Sequence, residues 1–314
     1  RRCSRPARPS RVEGRPLRVY CGYDPTSTNL HLGHTITMRK LRQFQELGHE
    51  VTFLIGSYTS LVGDPSDHDK TRPVLTEAEV ETNARTYTEQ AFKMLDPEKT
   101  QVRHNGEWLS NLRLIDLIEL GQNFTIQQFL TRENFAKRLE QNEPIYLQET
   151  FYSLMQGYDA VAMNTDVQVG GTEQLFNLMA GRKLQEAFGQ KPQIALTTPI
   201  LVGTDGHLRM SKTTGNYIGI NEPPEEMYGK AMSIPDHALL NYYTLVTRFG
   251  PDEVAAVERG LADGSLHPMD AKKQLAREIV SIFHSDGAAA QAEAHFKKVF
   301  QKGELPKEMP IHRP

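Results

Sequence analysis

The stretch "LRVYCGYDPTSTNLHLGHTITMRKLRQFQELGHEVTFLIGS", residues 17–57, decides the fold. Its first part is a β-branched and aromatic run that stops at Asp-Pro-Thr, which predicts a strand followed by a turn. Apolar residues then recur at Leu41, Phe44 and Leu47, and Gly48 predicts the end of a helix. A second apolar run at residues 51–57 predicts another strand. The order strand, helix, strand is that of one βαβ unit.

Two histidines, His31 and His34, lie at the start of the predicted helix. The His-x-x-His spacing alone is weak evidence, because it occurs often by chance. Gly33 between them lets a ligand approach the first helical turn, where backbone N–H groups and the helix dipole favour phosphate. Imidazoles at this position can donate hydrogen bonds to phosphoryl oxygens that gain charge in a transition state. We therefore interpret the turn as a site for a nucleoside triphosphate.

Composition indicates an ordinary soluble globular protein. The chain has 314 residues, 24% of them charged and 38% hydrophobic, and its net charge is −3. This length suggests about two domains, and the net charge does not exclude a local RNA-binding patch. Only Cys3 and Cys21 occur, without zinc-ligand spacing, so no metal site in the protein is predicted. No apolar run approaches the ~20 residues that span a membrane.

Three regions follow from the order of the predicted elements. Residues 1–13 are predicted to be a basic, disordered leader or to mark a fragment boundary. Their composition resembles a mitochondrial transit peptide, but no amphipathic period or initiator Met accompanies it. Residues 14–222 are predicted as an α/β, Rossmann-like catalytic domain with a helical insertion at about 108–160. Helical patterns dominate residues 223–314, which are predicted as a separate helical domain.

Two further patterns are specific enough to test. Thr76 and Glu79 are spaced as a capping box at the start of a helix predicted over residues 76–95. Tyr152, Gln156 and Asp159 are spaced to share one helix face. Polar groups on an otherwise apolar helix favour a cavity lining, although a solvent-facing stripe is the alternative.

The strongest signal is an ordered pair of motifs. "HLGH" at residues 31–34 and "RMSKT" at 209–213, about 175 residues apart, resemble the two signatures of class I aminoacyl-tRNA synthetases. Four further stretches, "VYCGYDPT", "LVGDPS", "YSLMQGYD" and "QVGGTEQ", closely resemble the bacterial-type tyrosyl-tRNA synthetase family. The match runs from about residue 14 to 228, and tryptophanyl relatives do not share these four stretches.

The resemblance assigns roles to individual positions. It implies that the amino-acid substrate is bound by Tyr20, Asp64, Tyr152, Gln156, Asp159 and Gln174. It implies that the reaction is catalysed through phosphate contacts by Thr26, His31, His34, Arg209 and Lys212. It implies that ATP is bound by Gly22, Asp24, His31, His34, Gly171, Glu173, Met210 and Lys212. Three positions depart from the family pattern: Glu173 replaces the usual Asp, Arg209 the usual Lys and Thr213 the usual Ser.

The family's activity implies tyrosine–tRNA ligation, with L-tyrosine, ATP and tRNA(Tyr) as substrates and Mg²⁺ accompanying the ATP. It also implies a homodimer formed through the apolar helices at residues 112–135, and no membrane partner. Family members normally continue into a basic C-terminal RNA-binding domain, and the resemblance implies that these 314 residues do not include it, so we expect near-normal tyrosine activation with severely reduced tRNA charging. A cytoplasmic location is expected, with the mitochondrial matrix as the alternative suggested by the Arg-rich leader.

Two other functions remain open from the sequence. One is a nucleotidyltransferase that uses a His-x-Gly-His turn to adenylylate a small metabolite. The other is a catalytically inactive, RNA-binding relative of the synthetases. Tyrosine-dependent exchange of ATP with pyrophosphate distinguishes both from a ligase.

Overall fold

A computed structural model describes residues 14–66 and 75–301 of the protein, without the side chains of residues 300 and 301. The predicted leader and part of the loop after Ser66 lie outside the described residues. The described chain divides into two compact units. The first comprises the residues up to Asn29 and Ile36–Pro199, and the second comprises Leu30–Thr35 and the residues from Ile200 onward.

The first unit contains a five-stranded sheet in the order β3-β2-β1-β4-β5, and every pairing is parallel. Its strands are β1 (Arg18–Tyr23), β2 (Glu50–Ile55), β3 (Thr100–His104), β4 (Val167–Gly171) and β5 (Ile194–Thr198). The register pairs Val19 with Val51 on one side and with Val167 on the other. All three valines are buried, as expected for a parallel sheet covered on both faces.

The strand order reverses between β1, the central strand of the sheet, and its neighbour β4. In open parallel sheets, ligands bind outside the carboxyl ends of the strands at such a switch point. The residues at this position are Gly22 at the end of β1 and Asp24 after it, and Gly171 at the end of β4 with Glu173 and Gln174 after it.

Helices connect and cover the strands of the first unit. They are α1 (Leu32–Glu46), whose first turn belongs to the second unit, α2 (Glu77–Ala91), α3 (Gly106–Leu109), α4 (Leu114–Gly121), α5 (Ile126–Leu130), α6 (Glu133–Glu140), α7 (Leu147–Ala162) and α8 (Leu175–Ala187). The predicted capping box at Thr76 is confirmed, since the Thr76 side chain accepts the Glu79 N–H and the Glu79 carboxylate accepts the Thr76 N–H. The helix ends at Ala91, however, and not at Leu95, because a tighter turn follows it.

The predicted helical insertion lies between β3 and β4. Its interior is aromatic, with Phe129, Phe135 and Leu154 buried together. A buried ion pair joins two of its helices, with Arg138 on α6 donating to both oxygens of Glu149 on α7 over 2.6 and 2.9 Å. The apolar helices at residues 112–135, predicted to form a dimer contact, therefore contribute partly to the core of this unit. Leu114 and Ile118 on α4, in the same range, are more than half exposed.

The second unit is mainly helical after residue 222. Its helices are α9 (Pro224–Met232), α10 (Leu239–Val246), α11 (Pro251–Asp263), α12 (Pro268–Phe283) and α13 (Asp286–Phe296), followed by a π-helical turn over Lys297–Gln301. Buried tyrosines anchor this core, and the Tyr243 hydroxyl donates to the Ala271 carbonyl over 2.7 Å. The compact units divide after Pro199, whereas the sequence places a domain boundary after residue 222, and those domain limits stay a prediction.

Candidate functional site

Asp24, the first residue after β1, organises the carboxyl end of the central strand. Its carboxylate accepts the Thr59 hydroxyl over 2.8 Å and the Tyr152 hydroxyl over 2.9 Å. Gly56 makes room for it, because a Cβ there would lie 1.9 Å from Asp24 Oδ1. The polar face predicted for α7 is thereby joined to the end of the sheet.

Tyr20 and Asp159 form a buried polar pair within the first unit. The Tyr20 hydroxyl is fully buried and makes no hydrogen bond of normal length with any described residue. Burial, and then the nearby Asp159 charge, raise the pKa of this phenol against an opposing effect of the Gln193 side chain. Burial likewise raises the pKa of Asp159 against the opposing hydrogen bonds from Trp108 and Asn105. A buried hydroxyl without a partner is costly, so this position suits a ligand that supplies one.

Asp64 and Gln174 meet in the same unit. Gln174 Nε2 donates to Asp64 Oδ2 over 2.7 Å, and Asn177 Nδ2 donates to Gln174 Oε1 over 2.9 Å. Gln156 lies on α7 between Tyr152 and Asp159, and its buried Oε1 has no hydrogen-bond partner among the described residues. At the predicted substrate positions the structure thus places the Asp64 carboxylate and the side-chain amides of Gln174 and Gln156. The Oε1 atom of Gln156 is an acceptor that these contacts leave unused.

The position of Glu173, where the family usually has Asp, is explained locally. Its carboxylate lies over Gly171, where a Cβ would come within 2.1 Å of Glu173 Oε2. Because Gly171 has no side chain, it leaves room for the longer side chain of Glu173. Of the other predicted nucleotide positions in this unit, Gly22 and Thr26 are exposed.

His31 and His34 lie in the second unit with their rings 4.0 Å apart between centroids. His31 Nδ1 accepts the Gly33 N–H over 3.1 Å, and His34 Nδ1 accepts the His31 N–H over 3.2 Å. Since both Nδ1 atoms are acceptors, each neutral ring carries its proton on Nε2. Burial lowers the pKa of His34 to about 3, and burial together with the charges of His34, Lys212 and Arg209 lowers the pKa of His31 further. Both histidines are therefore neutral hydrogen-bond donors at physiological pH.

The two sequence signatures are joined within the second unit. His31 forms an antiparallel β-bridge with Gly219, and the Leu32 N–H donates to the Ile218 carbonyl over 3.0 Å. Met210 of the second signature is buried close to Gly33 of the first. Burial lowers the pKa of Lys212 to about 8. The turn and the loop thus bring two imidazole donors and two cationic side chains, Arg209 and Lys212, into one electrostatic cluster.

No protein ligand set for a metal is found in the described ranges, where no three His, Cys, Asp or Glu side chains could hold an ion. In the same ranges, no helix is both long and apolar enough to cross a bilayer.

The sequence matches the family of tRNA synthetases class I (W and Y) over residues 12–301. The chain belongs to this family. The tyrosine–tRNA ligase of Moorella thermoacetica is 54% identical to this synthetase over 303 residues, covering 96% of this chain and 73% of that relative. The tyrosine–tRNA ligase of Thermotoga maritima is 51% identical over 295 residues, covering 94% and 74%.

Solved structures confirm the predicted α/β class I synthetase fold. A C-terminally truncated mitochondrial tyrosyl-tRNA synthetase of Aspergillus nidulans superposes with a TM-score of 0.73 at 24% identity, covering 90% of this chain and 86% of that one. The tyrosyl-tRNA synthetase of Archaeoglobus fulgidus, in complex with L-tyrosine, superposes with a TM-score of 0.71 at 23% identity, covering 90% and 92%. At these identities the likeness concerns the fold alone.

Residues that the sequence does not single out make hydrogen bonds to the predicted site residues and to their neighbours. Trp108 Nε1 donates to Asp159 Oδ1 over 2.8 Å, and Asn105 Nδ2 lies 3.4 Å from Asp159 Oδ2. Arg132 donates to the Ser66 hydroxyl over 2.8 Å, next to the Asp64 turn. The sequence carries one signal for this group, which is Trp108 itself, the only tryptophan of the chain.

Proposed function

We propose that this chain is a tyrosine–tRNA ligase. It activates L-tyrosine with ATP and then transfers the tyrosyl group to the 3′ end of tRNA(Tyr). Membership of the class I family and about 50% identity to curated tyrosine–tRNA ligases across nearly the whole chain support this function over a nucleotidyltransferase or an inactive relative.

The observation that carries the proposal is the unpartnered Tyr20 hydroxyl beside Asp159. A substrate phenol placed between them donates to the Asp159 carboxylate and accepts from Tyr20. Phenylalanine, which lacks the hydroxyl, leaves both buried groups unsatisfied, so the pocket favours tyrosine.

The other substrate groups are assigned to the neighbouring polar cluster. The tyrosine ammonium binds the Asp64 carboxylate, the Tyr152 hydroxyl and the Gln156 amide oxygen, all of which accept hydrogen bonds. Gln174 lies beside Asp64 and contacts the substrate carboxylate. The unused Gln156 Oε1 is the acceptor that the ammonium group satisfies.

Activation needs no enzymatic nucleophile, because the tyrosine carboxylate is already ionised at neutral pH. One of its oxygens attacks the α-phosphorus of ATP, the bond from the α-phosphorus to the bridging oxygen breaks, and pyrophosphate leaves with that electron pair. Tyrosyl-adenylate remains. The residues that stabilise the departing negative charge are Thr26, His31, His34, Arg209 and Lys212. The adenylate is bound by Gly22, Asp24, Gly171, Glu173 and Met210.

Mg²⁺ enters with the ATP in this proposal. The described donors near the signatures are neutral imidazoles and cationic side chains, which do not suit a hard cation. The ion is therefore held by phosphate oxygens and water, and it supplies additional charge neutralisation on the triphosphate.

The partners beyond the substrates are a second copy of the chain and tRNA(Tyr). Exposed apolar residues on α4, namely Leu114, Ile115 and Ile118, form a face that suits a two-fold symmetric contact. We also propose a cytoplasmic location, since the similar curated ligases come from bacteria.

Tyrosine-dependent exchange between ATP and pyrophosphate tests the proposal, measured for a panel of amino acids. We expect exchange with tyrosine and far less with phenylalanine. Y20F should raise the KM for tyrosine about tenfold or more and reduce discrimination against phenylalanine. The matched control is Y23F on the same strand, whose hydroxyl bonds to Thr37 over 2.8 Å. Exchange with a substrate other than tyrosine would favour the nucleotidyltransferase. Binding of tRNA without exchange would favour the inactive relative.

A further inference from the structure

Asn216 lies three residues after the second signature, and its side chain is buried inside the loop that carries the signature. Its Oδ1 accepts the Ser211 N–H over 2.8 Å and the Thr214 hydroxyl over 2.7 Å. Its Nδ2 donates to the Arg209 carbonyl over 3.1 Å and to the Asp205 carboxylate. One amide thus contacts four residues of a single loop.

These four bonds use the full capacity of the amide, which has two donors and two acceptor positions. Only one orientation of the amide is compatible with them, because the Ser211 N–H can only donate and the Arg209 carbonyl can only accept. The side chain therefore fixes the backbone on both sides of Met210 and immediately before Lys212. Hydrogen bonds from the His207 N–H, and then from Asn216, hold the pKa of Asp205 below its usual range, so the anchor is anionic at neutral pH.

The base of the loop is closed by backbone contacts around the same side chain. The Gly203 N–H donates to the Leu208 carbonyl over 2.7 Å, and the Thr204 N–H donates to the Asn216 carbonyl over 2.9 Å. A Cβ at Gly203 would lie 2.1 Å from Asn216 Nδ2, so the absence of a side chain at Gly203 creates the space for the amide. The backbone of the loop therefore packs around the Asn216 side chain.

We propose that Asn216 is the positioning residue of the second signature, which fixes the loop backbone so that Arg209 and Lys212 are held ready for the phosphates. This role rests on the proposed ligase function. Asn216 has no assigned contact with a substrate and acts through the residues that it hydrogen-bonds. Preorganised cations cost less to align in the transition state than cations on an unconstrained loop.

The first test compares N216A with T247A. Thr247 is also a buried polar residue of the second unit, and its hydroxyl caps α10 by bonding the Tyr243 carbonyl over 2.6 Å, outside the signature loop. We expect N216A to slow adenylate formation by about 10- to 100-fold in single-turnover measurements, with tyrosine affinity changed less than about twofold. T247A should keep the wild-type rate. A folded N216A with the wild-type rate, or with an equal loss of tyrosine affinity, overturns the proposal.

A second test needs no activity and is therefore independent of the ligase assignment. Trypsin cleaves after Arg209 and Lys212, and N216A should accelerate cleavage at these two bonds, as followed by mass spectrometry, while T247A should not. If wild-type protein shows no exchange with tyrosine, the proposed function fails and this comparison still reports on the loop. Unchanged cleavage in N216A overturns the inference.

Reciprocal substitution adds a rescue experiment. N216D keeps the acceptor for Ser211 but places a second carboxylate against Asp205, so it should be at least as slow as N216A. D205N in the N216D background restores a donor between the two side chains and should recover part of the rate. If N216A does not fold, T214V removes one contact from an exposed position; a wild-type rate and wild-type cleavage in T214V then overturn the proposal.

Discussion

The Trp108 indole donates its N–H to the Asp159 carboxylate over 2.8 Å, joining a short helix after β3 to the face of α7. This bond orients one carboxylate oxygen and stabilises the charged form of a buried acid. The indole thus fixes the orientation of the Asp159 carboxylate. Recognition of a small polar group on a substrate requires such a fixed orientation.

W108F tests this support directly. Removing the indole N–H leaves a buried acceptor unsatisfied and frees the carboxylate to rotate, so we expect the KM for tyrosine to rise about tenfold. The KM for ATP should change less than about twofold, as measured by pyrophosphate exchange. R103M is the control, because Arg103 lies over the same ring at 5.2 Å without touching Asp159. Equal effects of both variants would indicate a general packing defect.

H34A should lower the rate of adenylate formation by roughly 100-fold with little change in tyrosine affinity, because the neutral imidazole acts as a donor to developing charge. The pKa of His34 is about 3, so its protonation should cause no step in the rate between pH 5 and 7. Stopped-flow measurement on H34A, with H295A as an exposed histidine control, checks both statements. Weaker tyrosine binding at an unaltered rate would contradict the role.

Lys212 predicts an alkaline limit to catalysis. Burial lowers its pKa to about 8, so the ammonium is present below that pH and is lost as pH rises through it. We expect kcat/KM for ATP, which reports on the unliganded enzyme, to fall as pH increases past about 8. K212R should keep partial activity, and its kcat/KM should fall only at higher pH, since a guanidinium stays protonated. If the alkaline fall in kcat/KM occurs at the same pH in K212R, it reflects the titration of another group.

The buried Arg138–Glu149 pair predicts a contrast in stability. R138M leaves the Glu149 carboxylate buried without its cation and should lower the free energy of unfolding by about 3 kcal/mol, whereas R138M combined with E149L should cost less. R85M provides the control, because the Arg85–Glu81 pair is more than two-thirds exposed and should contribute at most about 0.5 kcal/mol. Urea unfolding compares them, and an R138M loss no larger than that of R85M would refute the argument.

The exposed face of α4 predicts self-association. Ile115 and Ile118 are 58% and 56% exposed, and replacing both with glutamate should shift the protein toward monomer in sedimentation at micromolar concentration. M269E, at an exposed apolar residue of α12, should not. A wild-type chain that sediments as a monomer would remove the proposed interface.

Local patterns were predictable from the sequence because their causes are local. The strand from Arg18, the helix after His31 and the capping box at Thr76 each depend on neighbours within one or two turns. The second strand ends at Ile55, two residues earlier than predicted, because the Ser57 N–H turns back to the Ile55 carbonyl over 2.8 Å.

Contacts between distant segments were not predictable in this way. Trp108 and Asp159 are 51 residues apart, and Arg132 and Ser66 are 66 apart, with no periodic pattern linking them. Leu30–Thr35 belong to the second unit, where His31 forms a bridge with Gly219, and residue propensities cannot predict a pairing between such distant segments. The roles predicted for the site residues rest on the resemblance to the family, whereas their contacts with one another depend on the fold.

Trp108 is the only tryptophan in the chain. The tryptophan emission of the chain, excited selectively over that of its tyrosines, therefore comes from the one indole that is hydrogen-bonded to Asp159. A substrate hydroxyl that reaches Asp159 changes the electric field at that ring, and the emission wavelength should shift with occupancy. The protein thus contains an unlabelled optical probe beside Asp159, which allows tyrosine binding at the proposed pocket to be followed before any nucleotide is added.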